Sequence, residues 1–245
     1  TDYHHVKPIK PIPKRKSEKK VPWLDCFSAP CKGGCPIAQD IPEYIELVGK
    51  GLYGPALKLI TEKNPLPFIT GTICSHRCQN KCSRNFYDES VHIRDAKLVA
   101  AEKGFETVMA SMKPAKKVAG KKAAIIGGGP TGMAAAYFLA RGGVETTIFE
   151  REATLGGVPR HVIPSFRIAE ETIEKDIALM EKQGVEVRCG APAPSVAELK
   201  AMGYTHILFA VGAWKAGRLD IEGAVAGAIQ WMKGVKAGNI AVSGS

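Results

Sequence analysis

Six of the seven cysteines fall into two short clusters. Cys26, Cys31 and Cys35 stand in C-F-S-A-P-C-K-G-G-C-P, and Cys74, Cys78 and Cys82 in C-S-H-R-C-Q-N-K-C. Thiolates at such spacing are ligands for soft metal centres. Downstream, Gly127-Gly128-Gly129-Pro130-Thr131-Gly132 is a glycine-rich turn of the kind that binds a pyrophosphate. Together the two features point to an electron path between iron–sulfur clusters and a flavin or nicotinamide.

Cysteine arithmetic argues for metal rather than disulfides. The count is odd, and a secreted disulfide framework is usually a shorter chain with an even count. Cys189, alone after an expected strand, reads as a buried small residue. Cys31-x3-Cys35-Pro36 repeats the tail of the bacterial ferredoxin run, in which the cysteine before the proline serves the other cluster. The same crossover groups Cys35 with Cys74 and Cys78, and groups Cys26 and Cys31 with Cys82. Tetrahedral thiolate sites also satisfy zinc. A non-catalytic docking module with structural zinc is therefore the alternative from a different functional class.

The glycine turn sits between an apolar strand and a helix, where its mechanism requires it. Gly127 permits the tight turn, Gly129 the approach of a pyrophosphate, and Gly132 close helix–strand packing. The helix N-terminus offers free N–H groups and a positive dipole end to phosphate. Glu150 ends the second strand at about 20 residues' separation. A carboxylate there accepts from a ribose hydroxyl and repels a 2′-phosphate, which suits FAD or NAD better than NADP. Pro130 and Thr131 in the turn, Arg151 after the acid, and Gly157 and Gly212 further on complete the expected cofactor contacts. Ala210-Val211-Gly212-Ala213 is similar to the A-T-G-type turn of two-dinucleotide flavoproteins, with Val211 in place of the usual Thr. Arg160, His161 and Arg167 are further pocket candidates or plain surface charges. No acid–base dyad stands out, and electron relay needs none.

The elements that must position these groups follow from pattern. Residues 1–22 form a flexible basic lead-in rich in Lys and Pro. Residues 23–112 read as a helical domain between cysteine loops. There the expected helices start at the N-cap Asp40, run from Tyr53 to Glu62, and run from Ile93 to Met112. Residues 113–121 are a Lys-rich linker. Residues 122–245 alternate strand and helix: strands at Ala123–Ile126, Thr146–Phe149, Val185–Arg188 and His206–Ala210, helices at Thr131–Arg141, Glu170–Gln183 and Val196–Met202. That alternation implies a parallel sheet with covering helices. The fold class is thus an all-helical cysteine-rich domain followed by a Rossmann-like α/β domain for FAD, incomplete at its C-terminus.

The 245 residues carry a net charge of +10, concentrated in the lead-in and the linker. Neither basic run is interleaved with aromatics or joined to a nucleic-acid motif, so nucleic acid is not an expected partner. No apolar run reaches the roughly 18 residues of a membrane span. With no secretory pattern at the N-terminus, a cytoplasmic protein is expected.

From about Trp23 onward the chain resembles the N-terminal part of the glutamate synthase small-subunit family, which includes dihydropyrimidine dehydrogenase. The matching stretches are C-x4-C-x3-C-P, D-I-P-E-Y-I, N-P-L-P-F-I-T-G-T-I-C, and G-G-G-P-T-G followed by F-E-R-E. The wording is nearest to the selenate reductase subunit branch, as in G-G-V-P-R-H-V-I-P-S-F-R. The resemblance implies one or two 4Fe–4S clusters, then FAD, with NAD(P)H on an inserted domain absent from this chain. It also implies an electron-accepting subunit or domain as partner. The family's pattern departs at Trp23, where it has a further Cys, and at Lys97, where it has a Gln or Glu ligand. Asp25, His76, His92, Asp95 and the N-terminal histidines are the remaining candidate ligands. Residues 238–245 look like a strand entering a second fingerprint, so the chain reads as a fragment that would not turn over NAD(P)H alone.

Overall fold

The structure, a computed structural model, describes residues 29–86, 88–214 and 228–238. The basic lead-in, Cys26 and the strand expected near the C-terminus lie outside the described residues. The chain divides into two compact units. The first comprises residues up to Asn64 together with Cys74–Phe105, and the second comprises Pro65–Ile73 and the chain from Glu106 onward.

The first unit is helical. It begins with α1 (Pro30–Gly34), α2 (Ile41–Gly49) and α3 (Tyr53–Thr61). The second unit takes α4 (Pro67–Ile73), and the first resumes with α5 (Arg77–Asn80), a 3-10 turn at Ser83–Phe86, and α6 (Ile93–Ser111). Ile41 and Tyr44 of α2, Ala56 and Ile60 of α3, and Ile93 and Ala100 of α6 bury one another around Cys78. Pro42 stands in the first turn of α2, a position where its missing N–H costs nothing. Asp40 occupies the N-cap but does not cap. Its carboxylate is taken instead by Lys32 and, at 2.7 Å, by Lys63. Two ammonium groups outcompete the backbone N–H groups that the sequence pattern assigns to it.

The second unit is built on a parallel four-stranded sheet, β1 (Lys122–Ile126), β2 (Glu145–Phe149), β3 (Glu186–Arg188) and β4 (His206–Phe209), in the order β3-β2-β1-β4. Between the strands run α7 (Pro130–Arg141), α8 (Val158–His161), α9 (Glu170–Lys182) and α10 (Val196–Ala201), and α11 (Ala228–Lys236) follows β4. Strand periodicity sorts the core. Ile125 and Ile148 face α7 and α9, packing with Met133, Tyr137, Ile173 and Met180. Ala124 and Phe149 point to the other face, against Leu199 and Tyr204. Cys189 is only partly buried, at the edge of the first of these cores. Ser195 caps α10 through a reciprocal box with Glu198. Among the described residues no helix is long and apolar enough to cross a membrane.

Candidate functional site

In an open parallel sheet, ligands bind where neighbouring strands leave in opposite directions, outside their carboxyl ends. Here β1 lies between β2 and β4, and the chain order reverses at β1/β4. A cavity of about 530 Å³ opens there, its lining drawn from the segments that follow all four strands. Of the nine residues expected to touch a cofactor, eight line it: Gly127, Gly129, Pro130, Thr131, Glu150, Arg151, Gly157 and Gly212. The ninth, Gly132, lies behind the turn, where a Cβ would stand 1.9 Å from the Gly127 carbonyl oxygen. It is what lets α7 start so close to β1.

The other glycines divide the work. Gly127 adopts φ +110°, and a Cβ there would meet the Ala210 carbonyl oxygen at 2.4 Å. Gly129 is the N-cap of α7, and a Cβ on it meets only Gly157 Cα, at 3.7 Å. Its side toward the cavity is therefore bare backbone at a helix N-terminus, the arrangement that receives phosphate. Glu150 is buried at the end of β2. Its Oε2 accepts from Gly128 N–H at 2.6 Å, and its Oε1 from Glu152 N–H at 2.9 Å. Each oxygen retains a lone pair, so the fixed carboxylate can still accept from a hydroxyl. These residues fit a dinucleotide.

Trp214 is not among the expected contacts, and Gly128, which does not line the cavity, has no role in the motif reading. Gly128 is the middle glycine of the triplet, and a Cβ there would lie 2.3 Å from Leu155 and 3.1 Å from Glu150 Oε2. Trp214 lines the cavity with the Arg151 guanidinium 5.5 Å from its ring centroid and the Lys233 ammonium at 5.1 Å. A lone aromatic after a strand carries no signal that would have marked it. Arg160 is neither a surface charge nor part of this cavity. It is buried, donates to Leu155 O at 3.1 Å and pairs with Glu174.

In the first unit the cysteine loops meet around Tyr44, which is 1% exposed. Cys31 lies in α1 and Cys35 directly follows it, Cys78 lies in α5, and Cys74 and Cys82 flank α5. Burial pushes the Cys78 thiol up, and the neighbouring Cys35 and Cys74 push it further. Burial likewise raises Cys31, with Cys82 adding to the rise against the pull of nearby backbone N–H groups. The Tyr44 hydroxyl is raised by burial and then by Cys78, Cys35, Cys31 and Cys74. Cys35 and Cys74 thus act on Cys78, Cys82 acts on Cys31, and Cys31 joins Cys35, Cys74 and Cys78 in acting on Tyr44. Donors already face the sulfurs: Gln39 Nε2 lies 3.9 Å from Cys35 Sγ, and His76 N–H donates to Cys74 Sγ at 3.4 Å. Thiol groups shared between distant loops, with N–H groups turned toward sulfur, fit iron–sulfur ligation. Among the described residues no three His, Cys, Asp or Glu side chains converge to hold a single metal ion.

The remaining candidate ligands separate. His92 and Asp95 pair with each other at 3.2 Å and are exposed. His76 adopts φ +40°, uncommon for a residue with a side chain, and its buried Nδ1 has no hydrogen-bond partner among the described residues. Lys97, read as a departure from a ligand position, is buried at 4% exposure.

Comparison with known proteins agrees with both halves. Residues 16–109 match the family model described as dihydropyrimidine dehydrogenase domain II, 4Fe-4S cluster. Residues 125–169 match that described as NAD(P)-binding Rossmann-like domain. The protein YgfK of Escherichia coli K12 is 44% identical over 216 residues, 87% of this chain and 21% of YgfK. The glutamate synthase (NADPH) small chain of Mycobacterium tuberculosis is 33% identical over 167 residues, 68% of this chain and 34% of that protein. The NADPH-Fe(3+) oxidoreductase subunit beta of Geobacter sulfurreducens is 33% identical over 218 residues, 86% of this chain and 32% of that subunit. The chain therefore spans between about a fifth and a third of the length of these relatives. Over these two segments it joins a match to the 4Fe-4S domain of dihydropyrimidine dehydrogenase to a match to an NAD(P)-binding Rossmann-like domain, and it is similar to the glutamate synthase small chain and to a dihydropyrimidine dehydrogenase subunit.

Proposed function

We propose that this chain is the electron-handling portion of an NAD(P)H-dependent flavin and iron–sulfur oxidoreductase. Cys35, Cys74 and Cys78 serve one 4Fe–4S cluster, and Cys26, Cys31 and Cys82 a second. Gly127, Gly129 and the first turn of α7, with Pro130 and Thr131, receive the pyrophosphate of FAD. Glu150 accepts from its adenosine ribose, and Arg151, Gly157 and Gly212 close the pocket around it. When bound, FAD converts a hydride taken from nicotinamide into single electrons, and the clusters carry these to a partner subunit or domain. The chain's own residues supply binding and orientation, and Phe149, Val158 and Ala210 give the pocket its apolar wall. The fixed Glu150 carboxylate disfavours a 2′-phosphate at this site, which favours FAD over NADP(H) here.

The observation that carries this reading is the gathering of thiols from loops some 40 residues apart in a chain that also builds a glycine-lined dinucleotide pocket. The test is anaerobic purification followed by iron, sulfide, zinc and flavin analysis. Brown protein that bleaches with dithionite and retains FAD is expected. Zinc without iron would replace the reading with a structural docking module, and absence of flavin with full iron would remove its second half.

A further inference from the structure

Lysine is among the residue types found mostly at the surface. Lys97 is 4% exposed, in the middle of α6. The buried stripe of that helix runs Ile93, Lys97, Ala100, Ala101 and Gly104, positions that share one face. Ile93 and Ala100, one turn to either side of Lys97, belong to the cluster that contains Cys78 and has Cys31 and Cys35 packed against it. Lys97 is among the charges that act on the Cys78 thiol, as are Cys35 and Cys74. One buried cationic side chain therefore shares a low-dielectric region with three thiols.

An ammonium has three donors and no lone pair, so it does not ligate iron. What it supplies is charge. A cluster held by thiolates is an anion, and a buried anion is expensive without a counter-charge. Reduction adds one more negative charge, so a fixed cation nearby stabilises the reduced form more than the oxidised one. Net charge and hydrogen bonds to sulfur are among the levers on cluster potential.

We propose that Lys97 is the buried counter-charge of the cluster served by Cys35, Cys74 and Cys78, and that it holds the reduction potential of that cluster up. This rests on the cluster reading above. Lys97 acts through charge and position rather than as a ligand.

The test is potentiometric titration followed by EPR, with iron content, on the wild-type protein and on Lys97→Met, Lys97→Arg and Cys78→Ala. Cys78→Ala identifies the reduction wave of this cluster. The expected result is that this wave moves to more negative potential in Lys97→Met at unchanged iron content, and stays in place in Lys97→Arg. An unmoved wave in iron-replete Lys97→Met overturns the proposal. Should Lys97→Met lose iron, Lys97→Arg decides: iron retained supports a required charge, and iron lost in both overturns it in favour of a packing role. Wild-type protein holding zinc and no iron overturns the cluster reading itself, an outcome distinct from a wave that fails to move.

Discussion

Asp176 accepts a hydrogen bond from the backbone N–H of Ile69 at 2.7 Å, across a sequence separation of 107 residues. The other carboxylate oxygen accepts from Phe68 N–H at 3.1 Å. These are first-turn donors of α4, which have no partner within their own helix. Asp176, fully buried in α9, therefore caps a helix that it never meets in sequence. Leu66 and Ile69 join the core that holds Ile173 and Ile177. Replacing Asp176 with Ala strands two buried donors, and a loss of about 3 kcal/mol or more is expected. Asp176→Asn keeps one acceptor and turns an amide toward the other donor, so an intermediate loss is expected. Urea unfolding of the two variants checks the order, and an Ala variant as stable as wild type would show that the cap is dispensable.

Two glycines of the same turn separate fold from binding. Gly132→Ala sets a Cβ 1.9 Å from the Gly127 carbonyl oxygen, with no flexible side chain to yield. A loss of about 2 kcal/mol or more is expected, with flavin lost as a consequence. Gly129→Ala meets nothing closer than 3.7 Å, and its φ of −77° suits any residue. Its stability should stay within about 0.5 kcal/mol of wild type. The new methyl group nevertheless enters the phosphate approach, so FAD affinity should fall at least roughly tenfold, equivalent to about 1.4 kcal/mol. Melting curves with flavin retention on the same samples distinguish the two. A stable Gly129→Ala protein that keeps its FAD would place the pyrophosphate elsewhere.

How much of this was legible follows from where each decision is made. The strands, α7 and the glycine turn are set by local period and by residues within one supersecondary unit, so pattern reading finds them. The seven-residue α4 is different. The expected helices leave it out, the preceding one ending at Glu62, and the acceptor that makes it possible is Asp176, far along the chain. Asp40 shows the opposite failure: the local N-cap rule names the right position, but Lys32 and Lys63 take its carboxylate. Lys97 breaks the rule that charge faces water because its surroundings include the cysteine loops, which a one-helix pattern does not contain.

The Asp40 network predicts a pH dependence. Hydrogen bonds from Lys32 first, and then Lys63, hold the Asp40 carboxyl below the usual carboxylate range. A folded value below the unfolded one means that the stabilisation is fully present above the ordinary pKa of about 3.9. It is lost as pH falls through the lowered folded value. The lysine side chains are 33% and 38% exposed, so solvent screening keeps the contribution small. The stability difference between wild type and Asp40→Asn should be constant from neutral pH down to about 5 and should close below about 4. Measuring both proteins at each pH cancels effects common to the two. A difference that persists undiminished to pH 3, well below the ordinary carboxylate value, would remove the two lysines as its cause.

The cysteines offer a test in which position along the chain and position in space disagree. Cys31 and Cys35 lie at the beginning and end of the same five-residue helix region, yet the proposed function assigns Cys31 with Cys82 to one cluster and Cys35 with Cys74 and Cys78 to the other. If each group serves one cluster, Cys35→Ala and Cys78→Ala remove the same cluster, and combining them removes no more iron than either alone. Cys31→Ala and Cys82→Ala should behave in the same way as each other. Combining Cys35→Ala with Cys82→Ala should then remove both clusters, because the losses fall on independent sites and add. A loop-by-loop arrangement gives the reverse pattern: Cys31→Ala with Cys35→Ala would act as one loss, and Cys35→Ala with Cys78→Ala as two. Iron content and the EPR signal of the reduced protein read the two patterns apart. The crossed outcome is expected because Cys35 stands directly before a proline, as does the ferredoxin cysteine that serves the other cluster.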